Sequence, residues 1–161
     1  MNNVTLLTVI MFVLFMGGGL TGPISSLYAE SLGANYFLIG LLSTVSSLTM
    51  VLSSYLWGRQ SDRLARRKVF LTGGLAGGSL ASGLMAIIPS YLYVFPVRIM
   101  GTLSRAAYST TSLALMGDLL ELRSGRGRSM GVYRGLGSLG FALMAFIAGS
   151  IAYRTSLRVP F

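Results

Sequence analysis

Five apolar runs recur along this chain of 161 residues, and each is about as long as a bilayer is thick. Spanning the hydrocarbon core takes about 20 mostly apolar residues in a helix. The runs fall near 4–28, 36–57, 69–88, 92–115 and 131–153. Backbone groups in lipid must be satisfied internally, and nothing here alternates with the two-residue period of a barrel strand. Each run is therefore expected as a helix, and the chain as an all-α membrane protein of five transmembrane helices. Composition agrees. The chain is 53% hydrophobic and 11% charged, where ordinary soluble domains carry about 25% charged residues, and its mean hydropathy is +0.70. The first run is read as a retained helix rather than a signal peptide, because Met1-Asn2-Asn3 brings no basic residue before it and no small-residue cleavage site ends it. Pro23 and Pro96 fall inside the first and fourth runs and are expected to bend them.

The formal net charge of +9 would suggest nucleic acid in a soluble chain. Here the charge is concentrated between apolar runs, which points to membrane topology and to no nucleic-acid partner. The stretch 58–68 holds Arg59, Arg63, Arg66, Arg67 and Lys68, and the stretch 116–130 holds Arg123, Arg126 and Arg128; the connections around Glu30 and around Pro89-Ser90 hold no Lys or Arg. By the positive-inside rule both basic stretches are cytoplasmic loops, the N-terminus is cytoplasmic, and the protein sits in the inner (plasma) membrane as a multi-pass protein. Arg154 and Arg158, at the expected outer end, run weakly against that assignment.

Cysteine and histidine are both absent and only four acidic residues occur. Disulfides, thiol nucleophiles, the usual zinc ligands and every His-based triad are thereby excluded, so no enzyme, metal site or cofactor is expected. Glycines recur at four-residue spacing, as Gly73/Gly77, Gly74/Gly78 and Gly131/Gly135, and Gly17, Gly18 and Gly19 lie in the first run. Such residues let helices approach closely, mainly for packing within one bundle. Tyr28, Tyr36, Tyr55, Tyr93, Tyr133 and Trp57 lie near the ends of runs and read as membrane-interface anchors.

The stretch Gly58-Arg59-Gln60-Ser61-Asp62-Arg63-Leu64-Ala65-Arg66-Arg67-Lys68 resembles the signature that the major facilitator superfamily carries between its second and third helices: a Gly, Asp-Arg four and five positions on, then paired basic residues. Gln60 and Ala65 depart from it, the family favouring an apolar residue and a Gly there. Three further segments are similar to the family: Arg98 to Ala107, although Thr102 stands where Gly is usual; Gly117-Asp118-Leu119-Leu120 with Arg126 to Gly131; and Arg158-Val159-Pro160-Phe161, which resembles the opening of a sixth helix. The resemblance covers the whole chain. It implies a secondary transporter that moves a small solute by alternating access, in which residues 1–161 form an incomplete six-helix bundle, its partners being the solute, the lipid bilayer and a missing C-terminal half.

Arg98 and Arg105 are the informative pair, since both lie within an apolar run and seven residues apart, on one helix face with Gly101, Thr102, Ser109 and Ser112. An Arg at the centre of a membrane helix costs about 2.5–3.5 kcal/mol on insertion scales, so such residues meet a wet cavity or a partner. Arg98, Arg105, Thr102 and Ser109 are the candidate lining of a substrate cavity; the alternative is that Arg98, two turns from the outer end, only snorkels to the interface. The resemblance further implies a cytoplasmic gating motif of Gly58, Asp62, Arg63, Arg66, Arg67 and Asp118, with Asp62 against a helix of the missing half and Arg66 against Asp118. A solvated loop that merely sets topology is the plainer reading of the same residues. No Asp or Glu lies within any run, so a proton carrier would sit at Glu30 or outside this chain. The competing function is a membrane scaffold or assembly subunit that keeps the fold without transporting; what separates the two is whether the reading frame continues past Phe161.

Overall fold

The computed structural model describes residues 3–64, 66–121, 125–154 and 157. Among these residues six helices follow one another: α1 (Asn3–Thr21), α2 (Ile24–Ser31), α3 (Tyr36–Leu64), α4 (Arg67–Ile87), α5 (Tyr91–Leu119) and α6 (Arg126–Arg154). No strand occurs among the described residues, and the chain is an all-α, multi-pass membrane protein.

Among the described residues four stretches are long and apolar enough to cross a membrane: Val4–Ser31, Tyr36–Leu64, Arg67–Ile87 and Arg126–Arg154. α5 has the length, at 29 residues, without the same apolar composition. Its middle carries Arg98, Thr102, Ser104, Arg105, Ser109, Thr110, Thr111 and Ser112. The expected count of five spans is thus four by composition among the described residues, with a fifth helix as long but carrying polar residues on several sides of its middle.

The first apolar run is broken. Gly22 N–H still donates to Gly18 O at 2.8 Å, but Pro23 has no N–H to continue the ladder, and the helix resumes only at Ile24. Pro96, by contrast, lies inside α5 without ending it. The basic segment expected as a loop over 58–68 is helical through Leu64 and again from Arg67, with Ala65 outside the described residues. Arg, Gln and Leu are good helix formers, so α3 continues past its apolar run into the polar zone. The stretch 116–130 behaves alike: α5 runs to Leu119 and α6 starts at Arg126, while Arg123 is outside the described residues, as are Arg158 to Phe161.

The chain divides into two compact units. One comprises residues 1–24 and 112–160, and there α1 lies along α6. Its contact surface is made by aromatic rings on small residues. A Cβ added at Gly140 would stand 3.0 Å from the Phe12 ring, one at Gly137 3.3 Å from the Phe15 ring, and one at Gly19 would run into the Phe141 carbonyl. Leu7, Met11, Met116, Leu120 and Tyr133 form its buried core.

The other unit comprises residues 25–111. Within it α4 meets α5 through Gly74 and Gly77: a Cβ at Gly74 would lie 2.8 Å from both Ser104 O and Tyr108 N, and one at Gly77 would strike Ser104 Oγ. Two residues of the glycine pattern thus make a seam, but at a spacing of three. Gly73, Gly131 and Gly135 face open space instead. The four-residue repeat therefore overstated the seam, since a helix turn of 3.6 residues lets i, i+3 share a face as well as i, i+4.

Hydroxyls along the spans are largely satisfied by their own helices, as in Thr8 to Val4 O at 2.8 Å, Ser46 to Leu42 O at 2.7 Å and Ser104 to Met100 O at 2.9 Å. Back-bonding of this kind hides polar atoms where no water is at hand.

Candidate functional site

Every candidate cavity residue lies on the part of α5 that belongs to the unit of residues 25–111. Their surroundings differ. Arg98 is half-buried, and its Nη1 donates to Ser25 Oγ on α2. Ser25 itself is 1% exposed, so this guanidinium is held inside the unit. Thr102 Oγ1 donates to Arg98 O at 2.8 Å, and Ser109 Oγ to Ala106 O at 3.4 Å, which turns both hydroxyls back onto α5. Arg105 is exposed.

The shared face is therefore not uniform: one arginine is fastened, the other open, and Ser112 at the far end of the stripe is 0% exposed. The head group of Arg98 meets a buried serine. Sequence reasoning missed Ser25. Its signal was a pair of serines, Ser25-Ser26, directly after Pro23 in an otherwise apolar run.

Of the residues assigned to the gating motif, Gly58 sits where α3 passes close to α5; a Cβ there would be 3.4 Å from Thr110 Cγ2. The next residues lie on the last turns of α3 because that helix outlasts its apolar run. Asp62 is paired with Arg67, at 3.3 Å between Oδ1 and Nη2. That pair is local, joining the end of α3 to the start of α4, with the carboxylate side chain 65% exposed. Arg63 and Arg66 are exposed. Asp118 is exposed near the end of α5 and belongs to the other unit. Ser61, which sequence reasoning treated as a loop residue, is 1% exposed and donates from Oγ to Gly58 O at 3.0 Å.

Three of the aromatic residues assigned to the membrane interface have other work. Tyr28 is 2% exposed and its hydroxyl donates to Ile88 O at 3.1 Å, tying α2 to the end of α4. Tyr133 is part of the buried core of its unit. Trp57 donates from Nε1 to Leu103 O at 3.1 Å and leans on the Phe70 ring, with centroids 5.8 Å apart. Nearness to a helix end suggested an anchor, but burial depends on which face the residue occupies. Tyr36, Tyr55 and Tyr93 are exposed. Among the described residues no three acidic side chains gather in the manner of a metal site.

Comparison with known proteins is consistent along the whole chain. The family model described as Major Facilitator Superfamily matches residues 7–161. An uncharacterized MFS-type transporter of Methanocaldococcus jannaschii is 24% identical over 160 residues, which is 99% of this chain and 41% of that protein. Multidrug resistance protein 1 of Bacillus subtilis is 27% identical over 159 residues, 99% of this chain and 40% of that protein. The quinolone resistance protein NorA of Staphylococcus aureus is 25% identical over 150 residues, 93% of this chain and 38% of that protein. The chain thus spans about two fifths of the length of these relatives. No solved structure matches it.

Proposed function

Because the chain belongs to the major facilitator superfamily, we propose that it forms part of the N-terminal bundle of a secondary transporter that moves a small solute by alternating access. The observation that carries this reading is the family match across residues 7–161. Two features of the chain support it. Arg105 stands exposed in the middle of a long helix whose neighbours are apolar spans, an arrangement whose cost is relieved only by water, a ligand or a carboxylate from elsewhere. Asp62 and Arg67 form an exposed ion pair between the ends of α3 and α4, weak enough to exchange partners when helices slide. In this reading Arg98, Thr102, Arg105 and Ser109 face or brace the solute path, and Gly58, Asp62, Arg63, Arg66, Arg67 and Asp118 make the cytoplasmic gate.

Two of the relatives are named for resistance to drugs, which makes an exported drug one candidate solute. Alternating access predicts that a site in the path opens to each side in turn. In the full-length protein, Arg105→Cys should react with a membrane-impermeant maleimide added from either side. Reaction from one side only would favour the scaffold reading, in which the fold is kept and the path does not alternate.

A further inference from the structure

α2 is only eight residues long, too short to hold its shape alone, and it is fixed by what it meets. Ser25, Tyr28 and Ala29 are buried, and their spacing puts them on one face of the helix. Two bonds tie that face down within the unit of residues 25–111: the Tyr28 hydroxyl to Ile88 O at 3.1 Å, and Arg98 Nη1 to Ser25 Oγ. Ser25 is 1% exposed, so its hydroxyl steadies the guanidinium from within and is itself out of reach from outside. Val94, four residues before Arg98 and on the same face of α5, is equally buried.

Among the described residues the Ser25 bond is the one hydrogen bond that the Arg98 guanidinium makes, and it uses one N–H of the five. Nη1 lies on the Cδ side of the group, so the Nε–Nη2 edge is left over, and its two N–H groups are the pair that a carboxylate accepts side-on. The charge itself is not offset within the unit, whose two carboxylates are Glu30 and Asp62. Asp62 is paired with Arg67. Glu30 is exposed, and five residues beyond Ser25 it stands about 140° around α2 from that serine. Arg105, two turns along the Arg98 face, adds a second positive charge. A guanidinium cannot shed its proton, and a half-buried one without a counter-charge is costly. We propose that Ser25 and Arg98 form a binding site for a carboxylate: Arg98 presents its Nε–Nη2 edge, and Ser25 is the positioning residue that fixes where that edge points. A carboxylate suits the site better than a spherical monoanion, because two oxygens match two N–H groups, and better than a dianion, because one guanidinium offsets one charge. Calling that carboxylate part of the solute rests on the transporter reading; binding it does not.

The full-length protein in detergent is melted across a concentration series of sodium acetate and, separately, of sodium chloride. Acetate should raise the melting temperature saturably, by about 3 °C at ten times its midpoint concentration, and the chloride midpoint should lie at least about threefold higher. Arg98→Gln should abolish the saturable rise and leave the shallow, linear effect of salt. Ser25→Ala keeps the charge but frees its direction, so the rise should survive with an acetate midpoint raised about threefold or more. A serine that merely packs would lower the melting temperature and leave that midpoint in place. Where Arg98→Gln does not fold, Arg98→Lys keeps the charge without the edge and should bring the acetate and chloride midpoints together. No saturable effect of acetate on the native protein would overturn the proposal without recourse to any variant, and would mean that a carboxylate of the protein itself occupies the edge. Equal midpoints for acetate and chloride in the native protein, a saturable rise that survives Arg98→Gln, or a midpoint indifferent to Ser25→Ala would overturn it as well. Melting requires no transport, so each of these results leaves the transporter reading standing.

Discussion

Arg98 and Arg105 share a helix and a face, yet their side chains have opposite surroundings, and opposite consequences follow. The guanidinium of Arg98 is half-buried and donates to the buried Ser25 Oγ, so removing either partner leaves a polar group without that contact. Arg98→Ala and Ser25→Ala should each lower stability, by about 1–3 kcal/mol, seen as a lower melting temperature in detergent. Arg105 is exposed, and Arg105→Ala should shift stability by no more than about 0.5 kcal/mol. If the full-length protein moves an anionic solute as proposed, the same variant should weaken solute binding several-fold, and Arg105→Lys should recover part of the loss because it keeps the charge without the planar fork. Unchanged solute affinity in Arg105→Ala together with raised stability would remove Arg105 from the solute path.

Helix contacts, at the next scale up, are governed by which glycine faces the neighbour. Gly73 and Gly74 are adjacent in sequence but differ completely in space: a Cβ at Gly74 would lie 2.8 Å from backbone atoms of α5, while one at Gly73 meets nothing. Backbone cannot rotate aside as a side chain can. Gly74→Ala should therefore push α4 off α5 and cost about 1–3 kcal/mol, whereas Gly73→Ala should be neutral or gain about 0.5–1 kcal/mol from helix propensity. Thermal unfolding of the two variants side by side checks this, and equal melting temperatures would refute the seam. In the other unit the same logic places Gly137 and Gly140 under Phe15 and Phe12, where the rings supply the bulk that the glycines omit.

For the molecule as a whole, the charge asymmetry between connections predicts an orientation with the basic connections in the cytoplasm. Ser61 is too buried to report it, so the reporter belongs at the exposed Gln60 beside it. Gln60→Cys should be labelled by an impermeant reagent only after the membrane is opened, and Ser31→Cys in intact cells; labelling of Gln60→Cys in intact cells would invert the topology. The Asp62–Arg67 pair is exposed, and such pairs contribute about 0–1 kcal/mol. Asp62→Asn should accordingly leave insertion and expression near normal while lowering transport by the full-length protein. Unchanged transport would reduce these charges to topology alone. Much of this protein was legible in its sequence, because a bilayer demands length and hydrophobicity that composition displays directly: the all-α class and the family follow from local residues, whereas Pro23, expected to bend the first helix, ends it, and the stretch 58–68, expected as a loop, is largely helical. The tertiary structure decided what local residues leave open. Arg98 found Ser25 across 73 positions of chain, Tyr28 found Ile88 across 60, and Gly74 rather than Gly73 met α5. Helical periodicity names the faces of a helix, but only packing chooses which neighbour each face meets, and on that choice rests whether a given arginine is a brace or an open charge.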